Sequence, residues 1–134
     1  MLKAKRIMMM HGRVAVSLKA TLKECAHKLI STGYPGLPVV GKEMKVVGVV
    51  TEFDLLGAIR EGLNIDKTSV ERIMSKDPET ANAEATADDL IEMMLENNFT
   101  IVPIVKNKKL VGVVSRAEIM SAYVEPAYYQ YLDK

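Results

Sequence analysis

A chain of 134 residues is long enough for one domain, or for two small units that share a core. Apolar residues make up 49% and charged residues 26%, and eighteen basic against seventeen acidic side chains leave a formal charge of +1. That even balance, without a long Lys/Arg block, argues against nucleic acid as a partner, and no apolar run approaches the ~20 residues that a membrane helix needs.

The chain begins Met1-Leu2-Lys3-Ala4-Lys5-Arg6, a basic start with no apolar stretch behind it, so no signal peptide is expected. A single cysteine, Cys25, cannot form an internal disulfide, which fits a reducing, cytoplasmic setting. Nine methionines and no tryptophan suggest a core filled by adaptable side chains. Val14-Ala15-Val16 reads as a short strand. Thr21 then opens an amphipathic helix with Leu22, Cys25, Ala26, Leu29 and Ile30 on one face, stopped by Gly33. Leu37-Pro38-Val39-Val40 is a strand whose proline implies an edge position or an irregular start. The polar turn Gly41-Lys42-Glu43 leads back into an antiparallel partner.

That partner, Val46-Val47-Gly48-Val49-Val50-Thr51-Glu52-Phe53-Asp54-Leu55, is a β-branched run that reads as buried on both faces. It hands over to a helix from about Phe53 to Arg60, with a hydroxyl and a carboxylate three residues apart at the junction. Residues 61–66 form a linker, and Thr68-Ser69-Val70-Glu71 has the capping-box pattern of a short helix.

The second half repeats the first. Thr80-Ala81 weakly answers the first strand. Thr86 opens a helix with Leu90, Ile91, Met94 and Leu95, stopped at Asn97-Asn98. The strand Ile101-Val102-Pro103-Ile104-Val105 follows, then the turn Lys106-Asn107-Lys108-Lys109. Leu110-Val111-Gly112-Val113-Val114-Ser115-Arg116-Ala117-Glu118-Ile119 mirrors the strand-to-helix junction and runs on to about Tyr123. Thr21 and Thr86 are 65 positions apart, Gly48 and Gly112 are 64 apart, and Arg6-Ile7-Met8 answers Arg72-Ile73-Met74 at 66. Such near-constant spacing marks an internal duplication. The expected fold is therefore α/β of the α+β type, with two pseudo-symmetric β-α-β-β-α repeats at 1–66 and 67–134. Neither has enough core to stand comfortably alone, so the two should pack as one globule. A tyrosine-rich tail, Tyr128, Tyr129 and Tyr131, follows the second repeat and suits either an oligomer contact or a fold-back on the same chain.

Little else suggests chemistry. Cys25 and His27 point to different faces of one helix and make no metal pair. Cys25 reads as a small buried hydrophobe, and Met8-Met9-Met10 and Met93-Met94 read as packing. No Ser–His–acid set or Gly-rich phosphate loop is visible, so catalysis is not expected. The Thr51-x-x-Asp54 and Ser115-x-x-Glu118 patterns are themselves sufficient as helix N-caps, as are Thr21-x-x-Glu24 and Thr86-x-x-Asp89.

Gly36-Leu37-Pro38-Val39-Val40 with the segment 47–55, and Val102-Pro103-Ile104-Val105 with the segment 111–118, resemble a tandem pair of cystathionine-β-synthase (CBS) domains, a Bateman module. The resemblance covers about residues 6 to 124. It implies a regulatory module that binds an adenosine-containing ligand in clefts between the repeats: AMP first, then ADP or ATP, with S-adenosylmethionine or NAD as alternatives. No catalytic cofactor is implied; the adenine nucleotide is the regulatory ligand. The family's Thr/Ser-x-x-Asp pattern maps onto Thr51 and Asp54, where Asp54 would take the ribose hydroxyls. The base would lie by Val16, Gly36, Leu37 and Pro38. In the second repeat the corresponding positions are Ile101, Pro103, Ser115, Arg116 and Glu118. Glu118 departs from the pattern, being one methylene longer, so unequal sites are expected, with the first stronger. His11, Arg13, Lys19, Lys76 and Arg116 are candidate phosphate contacts, Arg116 foremost. The resemblance also implies a homodimer formed through helical faces and a partner protein that reads the bound state. Two rivals are a ligand-free structural module and a metal- or redox-responsive one using His11, Cys25 and the methionines.

Overall fold

The computed structural model describes residues 2–10 and 14–129. In chain order its elements are α1 (Ala4–Ile7), β1 (Met9–Met10), β2 (Val16–Ser17), α2 (Leu22–Thr32), β3 (Gly36–Val40), β4 (Val46–Thr51), α3 (Glu52–Arg60) and β5 (Ser75–Lys76). There follow β6 (Ala81–Asn82), α4 (Ala87–Asn97), β7 (Ile101–Lys106), β8 (Lys109–Ser115), α5 (Arg116–Val124) and α6 (Pro126–Tyr129). The mixed α/β character expected from the sequence is what forms.

The chain divides into two compact units, and their boundaries differ from those of the repeats. One unit is Gly12–Pro78; the other joins Met1–His11 to Glu79–Lys134. The leading segment of each repeat is thus traded: residues 1–11 fold with the second repeat, and the segment around Arg72-Ile73-Met74 folds with the first.

In the Gly12–Pro78 unit the sheet order is β2-β3-β4-β5. β3 and β4 are antiparallel, as the short polar turn requires, and β2 runs parallel to β3 on its other side. Pro38 is compatible with this interior strand because β2 covers only Val39 and Val40. At Pro38 the strand has a partner on one side alone, Val49 of β4, so the missing N–H leaves no gap in a ladder. Thr21 caps α2 with a reciprocal box: its hydroxyl accepts from the Glu24 N–H at 3.1 Å, and Glu24 Oε1 accepts from the Thr21 N–H at 3.1 Å. Leu22, Cys25 and Leu29 face the core. Ile30, expected with them, lies 79% exposed, one helical step beyond that stripe. β4 also differs from expectation. Val50 is fully buried, but Val47 and Val49 remain partly exposed, so the strand buries one face rather than two. The short helix at Val70–Arg72 is a 3₁₀ turn capped by Ser69 rather than Thr68, with the Ser69 hydroxyl accepting from the Glu71 N–H at 3.3 Å.

The other unit is built alike, with sheet order β1-β8-β7-β6 and the same parallel and antiparallel pairings of β6, β7 and β8. Pro103 again has a strand on one side only. The β7–β8 turn places Asn107 and Lys108 at φ of 52° and 66°, the left-handed pair typical of a two-residue hairpin. Leu90, Val102, Ile104 and Val114 form the heart of its core, while Leu95, expected to be buried, is 79% exposed. Glu84 accepts from Lys3 at 2.8 Å and Lys5 at 2.7 Å, which ties the N-terminal segment down and holds its carboxyl at about 2.

Cys25 has no exposed surface, and burial, with a smaller push from the Glu24 charge, raises its thiol to about 11. A thiol reagent at neutral pH is therefore expected to leave native protein unlabelled and to label one cysteine per chain after denaturation. Rapid labelling of the native protein would show that α2 opens readily.

Candidate functional site

β4 ends on Thr51, and α3 starts at the next residue because Thr51 is its N-cap. The Thr51 hydroxyl accepts from the Asp54 N–H at 3.2 Å, and Asp54 Oδ2 accepts from the Thr51 N–H at 2.8 Å. Both side chains are half-buried. Among the described residues nothing bonds to Asp54 Oδ1, and the Thr51 hydroxyl donates to no acceptor. Antiparallel pairing sets Gly36 opposite Thr51, so the glycine backbone, the hydroxyl and the carboxylate converge at one end of the sheet. The first turn of α3 is acidic, carrying Glu52 beside Asp54.

Of the remaining first-repeat candidates, Leu37 and Pro38 lie next along β3, paired with Val50 and Val49. Leu37 and Pro38 are fully buried, their side chains given to the core. Val16 pairs with Val39, three residues along β3 from Gly36, or about 10 Å at the rise of a strand. It lines instead an open cleft of about 460 Å³ with Ser17, Lys19, Ala20, Glu24 and Lys28. Lys28 was not anticipated; its ammonium donates to the Ala15 carbonyl at 3.0 Å on that cleft's wall. The signal available was its place one turn after Glu24 on the same flank of α2.

In the second repeat Ser115 is opposite Ile101, again at a strand end. Here Glu118 curls back onto Ser115. Its Oε1 accepts from the Ser115 N–H at 2.8 Å, and its Oε2 accepts from the Ser115 hydroxyl at 2.7 Å. Ser115 is only 2% exposed. Arg116 is engaged with its own unit: Nε donates to the Phe99 carbonyl at 2.9 Å and a terminal nitrogen to Asn98 Oδ1 at 3.0 Å. It thereby fastens the left-handed C-cap of α4. Ile101 and Pro103 are buried like their first-repeat counterparts. Of the other phosphate candidates, Lys76 lies exposed in β5, and His11 and Arg13 fall outside the described residues, as does Tyr131 of the tail. Among the described residues no group of three His, Cys, Asp or Glu could hold a metal ion, and no helix is long and apolar enough to cross a membrane.

Comparison with known proteins agrees with this architecture. The CBS domain family matches residues 4–61 and 70–125. A homoserine O-acetyltransferase of Methanosphaera stadtmanae is 28% identical over 116 residues, 86% of this chain and 23% of that protein. The chain spans about a quarter of the length of the first curated relatives it matches. Among solved structures, the CBS domain pair of protein MJ0100, in complex with 5′-methylthioadenosine and S-adenosyl-L-methionine, is 25% identical with a TM-score of 0.80, covering 92% of this chain and 97% of that one. CBSX2 in complex with AMP superposes with a TM-score of 0.82 at 22% identity, covering 95% and 99%. Two matched repeats, each a β-α-β-β-α unit with a capped strand-to-helix junction, place the chain in the CBS domain family.

Proposed function

We propose that the chain is a regulatory module that binds an adenosine-containing ligand at the Thr51–Asp54 junction and passes its bound state to a partner. The observation that carries this is the pair left open at that junction, opposite Gly36: among the described residues, no protein group takes the second carboxylate oxygen of Asp54 or the hydroxyl hydrogen of Thr51. A ribose offers two adjacent hydroxyls that fit such a pair, and a charged acceptor makes those bonds roughly twice as strong as neutral ones. The adenosine ligands of MJ0100, which shares the CBS pair, support the same class. AMP is the first ligand to test, with ADP and ATP beside it.

A second reading has its own observation. Glu52 and Asp54 both stand in the first turn of α3, where a phosphate would otherwise be welcome. Two carboxylates there favour a neutral or cationic 5′ group, as in 5′-methylthioadenosine or S-adenosylmethionine, over a phosphate. Thermal melting with AMP, ADP, ATP, S-adenosylmethionine, 5′-methylthioadenosine and NAD separates the two. A rise confined to the nucleotides supports the first reading, and a rise confined to the sulfur ligands supports the second. No rise with any of them leaves a structural module.

The same proposal includes a homodimer formed through exposed helix faces. Ile30 and Leu95 are exposed at equivalent positions of the two repeats, as are Leu56 and Met120, and Ile59 and Tyr123. A duplication that keeps apolar side chains at three such pairs of positions supports a buried use for them. Gly57, mid-helix between Leu56 and Ile59, has open space where a Cβ would stand, so the packing of this chain does not call for it. Sedimentation is expected to find a dimer that Leu56→Asp with Met120→Asp converts to a folded monomer. A wild-type monomer, or a dimer indifferent to both changes, would overturn this part of the proposal.

A further inference from the structure

We infer that Glu118 closes the second repeat to a ribose, leaving the chain one nucleoside site, at Thr51–Asp54. This rests on the reading above that the junction binds adenosine.

The two junctions have the same backbone and opposite hydrogen-bond balance. In the first, among the described residues, a single backbone N–H takes one oxygen of Asp54, and the hydroxyl beside it is used only as an acceptor. One acceptor and one donor are therefore left for a ligand. In the second, the extra methylene of Glu118 lets its carboxylate fold back far enough to meet both donors of Ser115. The 2.7 Å contact from the hydroxyl is in the short range for an O–H to an ionised carboxylate. Because Ser115 is almost wholly buried, no solvent stands ready to replace Glu118, and a ribose would have to break a charged hydrogen bond before forming its own. Glu118 thus supplies inside the chain what Asp54 leaves to be supplied from outside. Arg116, the side chain next to Ser115, is itself engaged with Phe99 and Asn98. The consequence is a module with one input, whose second repeat serves as a fixed counterpart.

Isothermal titration of AMP and of S-adenosylmethionine into wild type, Asp54→Ala and Glu118→Asp tests this, with circular dichroism to confirm folding. The expected result is one equivalent per chain for the wild type with whichever probe binds, at least tenfold weaker binding for Asp54→Ala and two equivalents for Glu118→Asp. Two equivalents on the wild type, or wild-type affinity retained by Asp54→Ala, would overturn the inference while leaving an adenosine-binding protein. One equivalent on a folded Glu118→Asp would also overturn it, since Glu118 would not then be what closes the repeat. If neither probe binds any of the three and none of the six ligands raises the melting temperature, the adenosine reading itself falls, and the inference with it. Should Glu118→Asp fail to fold, the wild-type stoichiometry and the Asp54→Ala affinity still decide.

Discussion

Gly48→Ala is expected to destabilise the Gly12–Pro78 unit by about 1–3 kcal/mol, the usual cost of forcing a group into a packed interior. A methyl at Gly48 would stand 2.5 Å from the Met74 sulfur and 2.8 Å from the Ser75 carbonyl oxygen. The sulfur can swing aside; the carbonyl belongs to β5, which pairs with β4 at this point, Gly48 facing Lys76 and Val49 facing Ser75. Shifting it disturbs the ladder. Gly112 is in the same position in the other unit, 2.6 Å from the Met8 sulfur and 2.7 Å from the Met9 carbonyl, with Met9 paired to Val113. Gly112→Ala should therefore cost a similar amount. Gly57→Ala provides the contrast: the site is open and helical, so alanine should be neutral or stabilise by up to about 1 kcal/mol unless a partner helix lies against it. Urea denaturation midpoints measure all three. If Gly48→Ala and Gly112→Ala unfold at the wild-type midpoint, β1 and β5 are not held as described. Adding Met74→Ala to Gly48→Ala should recover only part of the loss, because the Ser75 carbonyl remains.

Asp54→Ala is expected to remove half or more of the ligand-dependent stabilisation. A ligand at a hundred times its Kd adds ~2.7 kcal/mol to the stability of the protein that binds it. Removing a charged hydrogen-bond acceptor costs ~1.5–3 kcal/mol, roughly tenfold or more in affinity, so about half of that rise or more should vanish at the same ligand concentration. The substitution also removes the Asp54 half of the capping box, lowering stability without ligand by ~1 kcal/mol. The readout is therefore the ligand-induced shift within each protein, not the absolute melting temperature. Asp54→Asn separates the two effects further, since an amide oxygen can still accept from the Thr51 N–H while the charge is gone. A shift retained in full by Asp54→Ala would move the site away from this junction.

Most of the local structure was legible in the residues themselves. The repeat spacing predicts two units of one design, and both formed with antiparallel hairpins at the expected turns. Helix starts were readable because a cap is a contact between residues three apart, and Thr21, Thr51 and Thr86 all cap as their sequences require. The candidate junctions were legible for the same reason: strand, cap and carboxylate are consecutive. Helix faces were less so. Leu22, Leu29, Leu90 and Met94 are buried as their spacing predicts, but Ile30 and Leu95 are exposed, since the edge of an apolar stripe depends on how wide the surface beneath it is.

What only the tertiary structure decided lies in contacts between residues far apart in the chain. The repeat gives no hint that residues 1–11 belong with residues 79–134, because that depends on β1 pairing with β8 across about a hundred positions. The glycines of the two valine-rich strands passed as part of an uninterrupted apolar run, and the fold shows them as the places where Met8 and Met74 come down on the sheet. The difference between the junctions was visible as one methylene, Asp54 against Glu118. Which oxygen each carboxylate leaves unused was not. Side-chain composition settles what a residue can donate or accept, but only packing settles which of those capacities a neighbour has already taken.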